Sequence, residues 1–194
     1  MTAKIALRKQ VQSILNNLGS AEKVRQSKVV VRKVLQNDKF RAAKSVSIYL
    51  NMDDEVQTED LVTEIFNQGK TCYIPRFKFG KPEMEMIRLA SLAEYENLPK
   101  NKWNIKQPPD DVVIESVFDR GELDLVLTPG LAFTSKGDRL GRGKGYYDRF
   151  FEKCKNELKS FPYLIGLAFN EQILPEIPTT ENDIRLDLVF DAKT

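Results

Sequence analysis

A loop rich in glycine and basic residues, at positions 136–149, contains the residue types best suited to chemistry. Its sequence is KGDRLGRGKGYYDR, in which four glycines and five basic residues stand with two acidic ones. Glycine lets backbone N–H groups turn towards an anion, and the N-terminus of a following helix adds more of them. Arginine and lysine add charge-assisted hydrogen bonds. This segment, called the glycine loop below, therefore predicts phosphate binding; the alternative is a flexible basic turn at the surface.

The glycine loop matches neither standard nucleotide-binding motif. A P-loop would need glycine where Asp138 stands, and serine or threonine where Gly145 stands. A GxGxxG motif would need glycine where Tyr146 stands. The physical requirements for holding phosphate are met, but by a different arrangement of residues.

Histidine is absent from all 194 residues of the chain. This absence excludes a Ser-His-Asp triad, a Cys-His dyad, histidine acid–base catalysis and every histidine-ligated metal site. Any catalysis must therefore use carboxylates, lysine or arginine, tyrosine, backbone amides or a hard metal ion.

Composition sets the remaining expectations. A net charge of +2 does not indicate a nucleic-acid or membrane-surface protein. Cys72 and Cys154 are far apart in the sequence and lie in apolar patterns, so we expect them to be reduced thiols in the core.

No stretch approaches the roughly 18 apolar residues of a membrane span, and the N-terminus at Met1–Lys4 lacks the apolar region of a secretion signal. We expect a cytoplasmic monomer that binds small molecules, with no nucleic-acid or membrane partner.

Helices and strands alternate along the chain. Apolar spacing predicts a helix over 4–18 and a second one capped by Ser20, with Val24, Val31, Val34 and Leu35 facing inward. Thr58 is predicted to cap a third helix, and a fourth begins near Tyr146. Apolar runs predict strands at 45–50, 71–74 (ended by Pro75), 83–89, 123–128, 163–169 and 186–191.

This alternation predicts a single α/β domain over 1–194, in which a mostly parallel sheet lies between two helix layers. Ligands of such sheets bind beyond the carboxyl ends of the strands, which here means the region around 129–148. Residues 76–123 are less regular, with Pro99, Pro108 and Pro109 around Trp103. We expect a lid or a binding excursion there.

Three motifs resemble those of the 5-formyltetrahydrofolate cyclo-ligase family, also called methenyltetrahydrofolate synthetases. They are KIALR at 4–8, YLNMDDEVQT at 49–58 and PGLAFTSKGDRLGRGKGYYD at 129–148, and the resemblance spans essentially the whole chain. It implies a fold like that of sugar-phosphate isomerases and CoA transferases, which agrees with the pattern above. It also implies ATP- and Mg²⁺-dependent conversion of 5-formyltetrahydrofolate to 5,10-methenyltetrahydrofolate.

By this resemblance, the ATP site combines the first helix with the glycine loop, and Arg142, Lys144 and Tyr146 are the catalytic residues. The alternative for Lys4 and Arg8 is a solvated helix face. The implied ATP-binding residues are Lys4, Arg8, Arg139, Gly141, Arg142, Gly143, Lys144, Gly145, Tyr146 and Tyr147.

The resemblance also implies Asp148 and Asp183 as magnesium ligands. Two carboxylates suit Mg²⁺, which also binds water and substrate phosphates. The alternatives are a carboxylate stabilised by the helix dipole for Asp148 and an ordinary loop residue for Asp183.

The implied folate site would offer a flat pterin an apolar or aromatic wall and a carboxylate acceptor. Tyr146 could instead be a core residue, and Trp103 could belong to a small cluster under the long loop. Met84 and Met86 more often pack than bind. The implied folate-binding residues are Leu50, Glu55, Trp103, Arg142 and Tyr146.

The reaction that the resemblance implies needs no protein nucleophile: ATP phosphorylates the formyl oxygen, N10 attacks the activated carbon, and phosphate leaves. Two other classes stay open. One is an α/β enzyme acting on a phosphorylated sugar or a CoA ester, which would need a catalytic base in the cleft. The other is an inactive folate- or nucleotide-binding regulator, which would show a gap in the set Lys144, Tyr146 and Asp148.

Overall fold

The strands are short and rich in apolar residues. The structure is a computed structural model that describes residues 3–78, 80–101, 104–181 and 183–193. Its strands are β1 (Ser45–Ile48), β2 (Thr71–Phe77), β3 (Met84–Leu89), β4 (Leu125–Thr128), β5 (Ala132–Phe133), β6 (Arg139–Leu140), β7 (Tyr163–Leu167) and β8 (Leu188–Phe190).

Six of these strands form the central sheet, in the order β3-β2-β1-β4-β7-β8. All neighbours in it are parallel except β2 and β3, which pair antiparallel. The two remaining strands, β5 and β6, form a separate antiparallel hairpin. The mostly parallel sheet predicted from the sequence is confirmed.

The helices pack on both faces of the sheet. Along β4, Leu125 and Leu127 belong to one buried cluster, while Val126 belongs to the other. The first cluster includes residues of α1, α2 and α4, and the second includes residues of α6 and α7, which confirms the three-layer arrangement. The helices are α1 (Ala3–Asn17), α2 (Ser20–Gln36), α3 (Asp38–Ala42), α4 (Glu59–Asn67), α5 (Leu92–Asn97), α6 (Val117–Arg120) and α7 (Tyr146–Glu157).

The start of α2 differs from the prediction. Gly19, not Ser20, is its N-cap residue, and Ser20 is the first helical residue. Val24 is exposed rather than inward-facing, whereas Gln26 is fully buried. The reason is that the Gln26 side chain donates to Glu171 and accepts from the backbone N–H of Asn170, so this face of α2 docks through hydrogen bonds.

The prediction that Pro75 ends its strand is wrong. β2 continues through Pro75 to Phe77, because β3 pairs with it along this whole length. The register between β1 and β2 reaches only Ser47 and Tyr73, so Pro75 lies beyond the part of β2 that β1 pairs. A residue without an N–H is tolerated at such a position.

Thr58 occupies the predicted N-cap position of α4 but does not cap the helix with its side chain. Its hydroxyl instead donates to the carbonyl of Tyr49 at 2.8 Å, and Asn51 accepts from its backbone N–H. β1 ends at Ile48, two residues earlier than predicted, yet Tyr49 and Leu50 remain buried. These bonds fix the chain that follows β1.

Cys72 and Cys154 are free and buried, as predicted. Burial raises the pKa of each thiol to about 12. Within the described ranges, no helix has the length and apolar character that crossing a membrane requires.

Candidate active site

A cavity of about 450 Å³ lies at the carboxyl ends of β1, β2 and β4, where the parallel-sheet rule predicts a ligand site. All predicted site residues within the described ranges line this cavity. Trp103, the remaining one, lies outside the described residues. The lining includes Lys4, Arg8, Leu50, Glu55, Arg139, Gly141, Arg142, Gly143, Lys144, Gly145, Tyr146, Tyr147, Asp148 and Asp183.

Helix α1 contributes two cations to the cavity. Lys4 Nζ lies 2.6 Å from Asp183 Oδ2, and Arg8 Nε donates to the carbonyl of Gly141 at 2.8 Å. Neither residue therefore stands on a freely solvated helix face. These contacts tie α1 to the glycine loop and to the segment around Asp183.

The glycine loop enters α7 through Gly145, whose φ of +65° belongs to the left-handed region. This backbone conformation favours glycine, since side chains rarely adopt it. Gly145 has no side chain that could cap α7. The first N–H groups of this twelve-residue helix are therefore not satisfied by a capping side chain, as anion binding at a helix N-terminus requires.

Arg139 is buried beside α7. Its Nη2 donates to Asp148 Oδ1 at 2.7 Å, and its guanidinium lies 5.5 Å from the ring centroid of Tyr147 and 5.9 Å from that of Phe151. Its Nε is buried without a hydrogen-bond partner in the described part of the chain. Asp148 is thus the immediate counter-charge of a buried arginine.

Arg142 lies against two neighbouring carboxylates. Its Nη2 lies 2.6 Å from Asp54 Oδ1 and 3.3 Å from Glu55 Oε1. Burial raises the pKa of Glu55, although the positive charge of Arg142 partly opposes that effect. Burial raises the pKa of Asp54, but the hydrogen bond from Gln12 and the positive charge of Arg142 outweigh it and lower the pKa overall.

Asp183 is held from its own loop as well as by Lys4. Its Oδ2 also accepts from the backbone N–H of Thr180 at 2.6 Å and from the Thr180 hydroxyl at 3.0 Å. Burial raises the pKa of Asp183, but these bonds and that from Lys4 outweigh it and lower the pKa overall.

Part of the cavity lining is apolar and aromatic. The Tyr146 ring packs against Phe77, with centroids 4.9 Å apart and planes at 60°. Leu50, Pro75 and Ile105 line the same cavity. Such a surface suits a flat heterocycle.

Lys144 differs from the other cations of the cavity. Its side chain is exposed and its Nζ makes no hydrogen bond or ion pair with any residue that the structure describes. It can therefore meet an anion without leaving a protein carboxylate.

Asp148 and Asp183 suit a hard metal ion that is also bound by a substrate. Among the described residues, no group of three or more acidic, cysteine or histidine side chains could hold a metal ion. A metal ion here would therefore need further ligands from a substrate or from water. Each aspartate uses one carboxylate oxygen for its cation, and the other makes no hydrogen bond to a described residue. Single carboxylate oxygens of this kind fit Mg²⁺, which takes its other ligands from phosphate and water.

Sequence reasoning missed several residues at this site. Phe77 and Ile105 line the cavity, and Gln12 and Asp54 hold Arg142. Gln12 could have been found by helical spacing, because positions 4, 8 and 12 share one face of α1. No comparable local signal marks Ile105 as a residue of the cavity.

The comparison with protein-family models gives one match: residues 1–191 fit the 5-formyltetrahydrofolate cyclo-ligase family. Among curated relatives, the 5-formyltetrahydrofolate cyclo-ligase of Mus musculus is 44% identical over 189 residues, covering 97% of this chain and 93% of the relative. A mitochondrial 5-formyltetrahydrofolate cyclo-ligase of Arabidopsis thaliana is 31% identical over 202 residues, covering 95% of this chain and 72% of the relative.

Two solved structures share the fold over almost the whole chain. The NMR structure of Aquifex aeolicus 5,10-methenyltetrahydrofolate synthetase gives a TM-score of 0.78 at 28% identity and covers 100% of this chain and 91% of that one. The 5,10-methenyltetrahydrofolate synthetase of Mycoplasma pneumoniae gives 0.74 at 22% identity, with 99% and 100% covered, and supports the fold alone. The match over 1–191 and the identity of its relatives show that this chain belongs to the 5-formyltetrahydrofolate cyclo-ligase family.

Proposed function

We propose that this chain converts 5-formyltetrahydrofolate to 5,10-methenyltetrahydrofolate, using ATP and releasing ADP and phosphate. The observation that carries the proposal is that one cavity combines three kinds of surface. They are the cations of the glycine loop, an aromatic and aliphatic wall, and the buried carboxylate of Glu55. Membership of the family supports the same reaction.

In the first step, the formyl oxygen attacks the γ-phosphorus of ATP, and ADP leaves with the electrons of the broken bond. Arg139, Arg142 and Lys144 hold the phosphates, together with the first N–H groups of α7. Phosphoryl transfer of this kind depends on in-line positioning and on neutralised charge. Lys4 and Arg8 bind the nucleotide from α1.

In the second step, N10 of the substrate attacks the activated formyl carbon, and the ring closes. Phosphate then leaves with the C–O bonding electrons, and N10 loses its proton. The substrate supplies both nucleophiles, so the protein needs neither a histidine nor a covalent intermediate.

The folate lies against Tyr146 and Leu50, and Glu55 accepts hydrogen bonds from N–H groups of the pterin. Trp103 belongs to this proposal through the family resemblance, although it lies outside the described residues. Tyr146 also adjoins the glycine loop in sequence and lines the cavity with it, so in this proposal it orients the two reactants relative to each other.

Asp148 and Asp183 would hold Mg²⁺ together with phosphate oxygens. When bound, the metal ion supplies positive charge to the phosphates.

We also propose that residues 1–194 form one catalytic domain and that the protein acts as a monomer in the cytoplasm.

The test is to mix the protein with 5-formyltetrahydrofolate, ATP and Mg²⁺ and to follow methenyltetrahydrofolate by its absorbance. We expect product only when all three are present. An enzyme of phosphorylated sugars or CoA esters would give none, and a folate-binding regulator would bind 5-formyltetrahydrofolate without turning it over. Either outcome would overturn the proposal.

A further inference from the structure

Two residues beside the cavity, Gln12 and Asp54, have no part in the reaction proposed above. Both contact Arg142: its Nη2 donates to Asp54 Oδ1 at 2.6 Å, and its Nη1 donates to Gln12 Oε1 at 3.2 Å. Gln12 Nε2 in turn donates to Asp54 Oδ2 at 2.7 Å. The three side chains form a closed set of hydrogen bonds that joins α1, the chain after β1 and the glycine loop.

Glu55, the neighbour of Asp54, holds Arg142 much less closely. The distances from Glu55 Oε1 to the Nε and Nη2 of Arg142 are 3.4 and 3.3 Å. Glu55 Oε2 accepts instead from the backbone N–H of Met52 at 3.0 Å. The side chain of Glu55 is 8% exposed, so its carboxylate can pair only with groups inside the cavity.

The Arg142 guanidinium thus lies between two carboxylates, and the distances show that it pairs more closely with Asp54 than with Glu55. An arginine with a single carboxylate partner tends to form a bidentate pair that uses both carboxylate oxygens. Without Asp54, Arg142 would have Glu55 as its only carboxylate partner among the described residues. A ligand that needs the Glu55 carboxylate would then have to break that pair first.

We propose that Asp54 and Gln12 are positioning residues that hold the Arg142 guanidinium off Glu55 and leave the Glu55 carboxylate available to the N–H groups of the pterin. The inference rests on the proposed function, because it takes 5-formyltetrahydrofolate as the ligand of Glu55. Neither Asp54 nor Gln12 lines the cavity, so both act through Arg142.

The first measurement is the affinity for 5-formyltetrahydrofolate without ATP, so that no reaction occurs, by isothermal titration calorimetry. For Asp54→Asn we expect the Kd to rise about tenfold, while kcat at saturating folate stays within a few-fold of wild type. The matched control is Asp53→Asn, which makes the same charge change at an exposed neighbour without a partner in the described structure. An equal Kd for Asp54→Asn and wild type would overturn the inference.

The second measurement separates an effect through Arg142 from a general loss of structure. In an Arg142→Gln background, we expect Asp54→Asn to cause no further change in the Kd, because the group that it restrains is gone. If Asp54→Asn weakens binding equally in both backgrounds, Asp54 does not act through Arg142 and the inference is wrong.

Gln12→Ala provides an independent variant should Asp54→Asn fold poorly. It removes the bonds from Gln12 to Asp54 and Arg142, so the Kd should rise by a few-fold, while Gln10→Ala on the exposed side of α1 changes nothing. An unchanged Kd for Gln12→Ala would argue against the role of Gln12. A wild-type protein that neither binds nor converts 5-formyltetrahydrofolate contradicts the proposed function itself, a result distinct from all of these.

Discussion

Carboxylates neutralise most of the cations in the cavity. In the proposed reaction, a nucleotide would compete with protein carboxylates for these cations, and each exchange would reduce the net gain from a new phosphate contact. The pairs are Lys4 with Asp183, Arg139 with Asp148, and Arg142 with Asp54 and Glu55.

Lys144 pairs with no carboxylate in the described structure, so its full charge is available to phosphate. We expect Lys144→Ala to lower kcat by about 100-fold or more, which is typical for losing one group that stabilises developing charge. Stability should not change, because the side chain is exposed and makes no described contact.

Lys136→Ala is the matched control for this prediction. Lys136 belongs to the same loop but does not line the cavity, so we expect turnover close to wild type. The test is to measure kcat by steady-state kinetics and stability by thermal unfolding for both variants. Equal kinetics for Lys144→Ala and wild type would remove Lys144 from the phosphate site.

No covalent protein intermediate is expected. Cys72 and Cys154 do not line the cavity, and burial raises the pKa of their thiols to about 12, so neither offers a thiolate at neutral pH. Mass spectrometry of an acid-quenched reaction should give only the unmodified protein mass. A phosphoryl or acyl adduct would contradict the two-step reaction.

The pair between Lys4 and Asp183 predicts a pH-dependent contribution to stability. The pKa of Asp183 is lower in the folded protein than in the unfolded chain, where it lies at about 4. The contribution is therefore complete above pH 4 and is lost as the pH falls through the lower folded value.

Asp183→Asn removes the charge that titrates. We expect this variant to be less stable than wild type at pH 6, with the difference shrinking towards pH 3, as measured by urea unfolding at both values. A difference that is the same at both pH values would show that Asp183 stabilises the fold without its charge.

At the scale of elements, strands and helices with a clear apolar pattern were predictable, but their ends were not. The apolar run at 71–74 identified β2, yet its extension to Phe77 depends on β3, which is a tertiary partner. The buried face of α2 differs from the prediction for a similar reason, since the bonds of Gln26 to Asn170 and Glu171 bury Gln26 where the apolar pattern had placed Val24 inward. Tertiary contacts of this kind leave no periodic signal in the sequence.

The described stretch 104–116 was the least predictable part, and Arg76 shows why. This β2 side chain is nearly completely buried, and its Nη1 donates to the carbonyls of Pro109 and Val112, while Glu85 pairs with it from β3. One arginine thus holds the chain at Pro109 and Val112, which lie 33 and 36 residues further along the sequence.

Arg76→Met should therefore destabilise the protein by about 2 kcal/mol, because it removes a buried donor that bonds two carbonyls and the Glu85 carboxylate. The control is Arg88→Met on β3, where a half-exposed arginine pairs with Glu115 and should contribute less than about 1 kcal/mol. Urea unfolding of the two variants compares them directly. Equal losses of stability would mean that Arg76 does not anchor the segment.

At the scale of the whole molecule, the glycine loop was predictable because its residues are contiguous. Its physical requirements, namely glycines, cations and a following helix, can be recognised within fourteen residues. The ion pairs of the cavity were not predictable from local physics. Lys4 and Asp183, for example, are 179 residues apart, and only the folded sheet brings them together.

That separation has a consequence for the order in which a growing chain can assemble its site. The glycine loop is synthesised long before the segment that supports it, in which Asp183 pairs with Lys4 and the backbone N–H of Leu186 donates to Gly137. A nascent chain that has passed residue 149 but not residue 186 has the phosphate-binding sequence without its support. Nucleotide binding should therefore begin late in synthesis, after the fold has joined its two most distant parts.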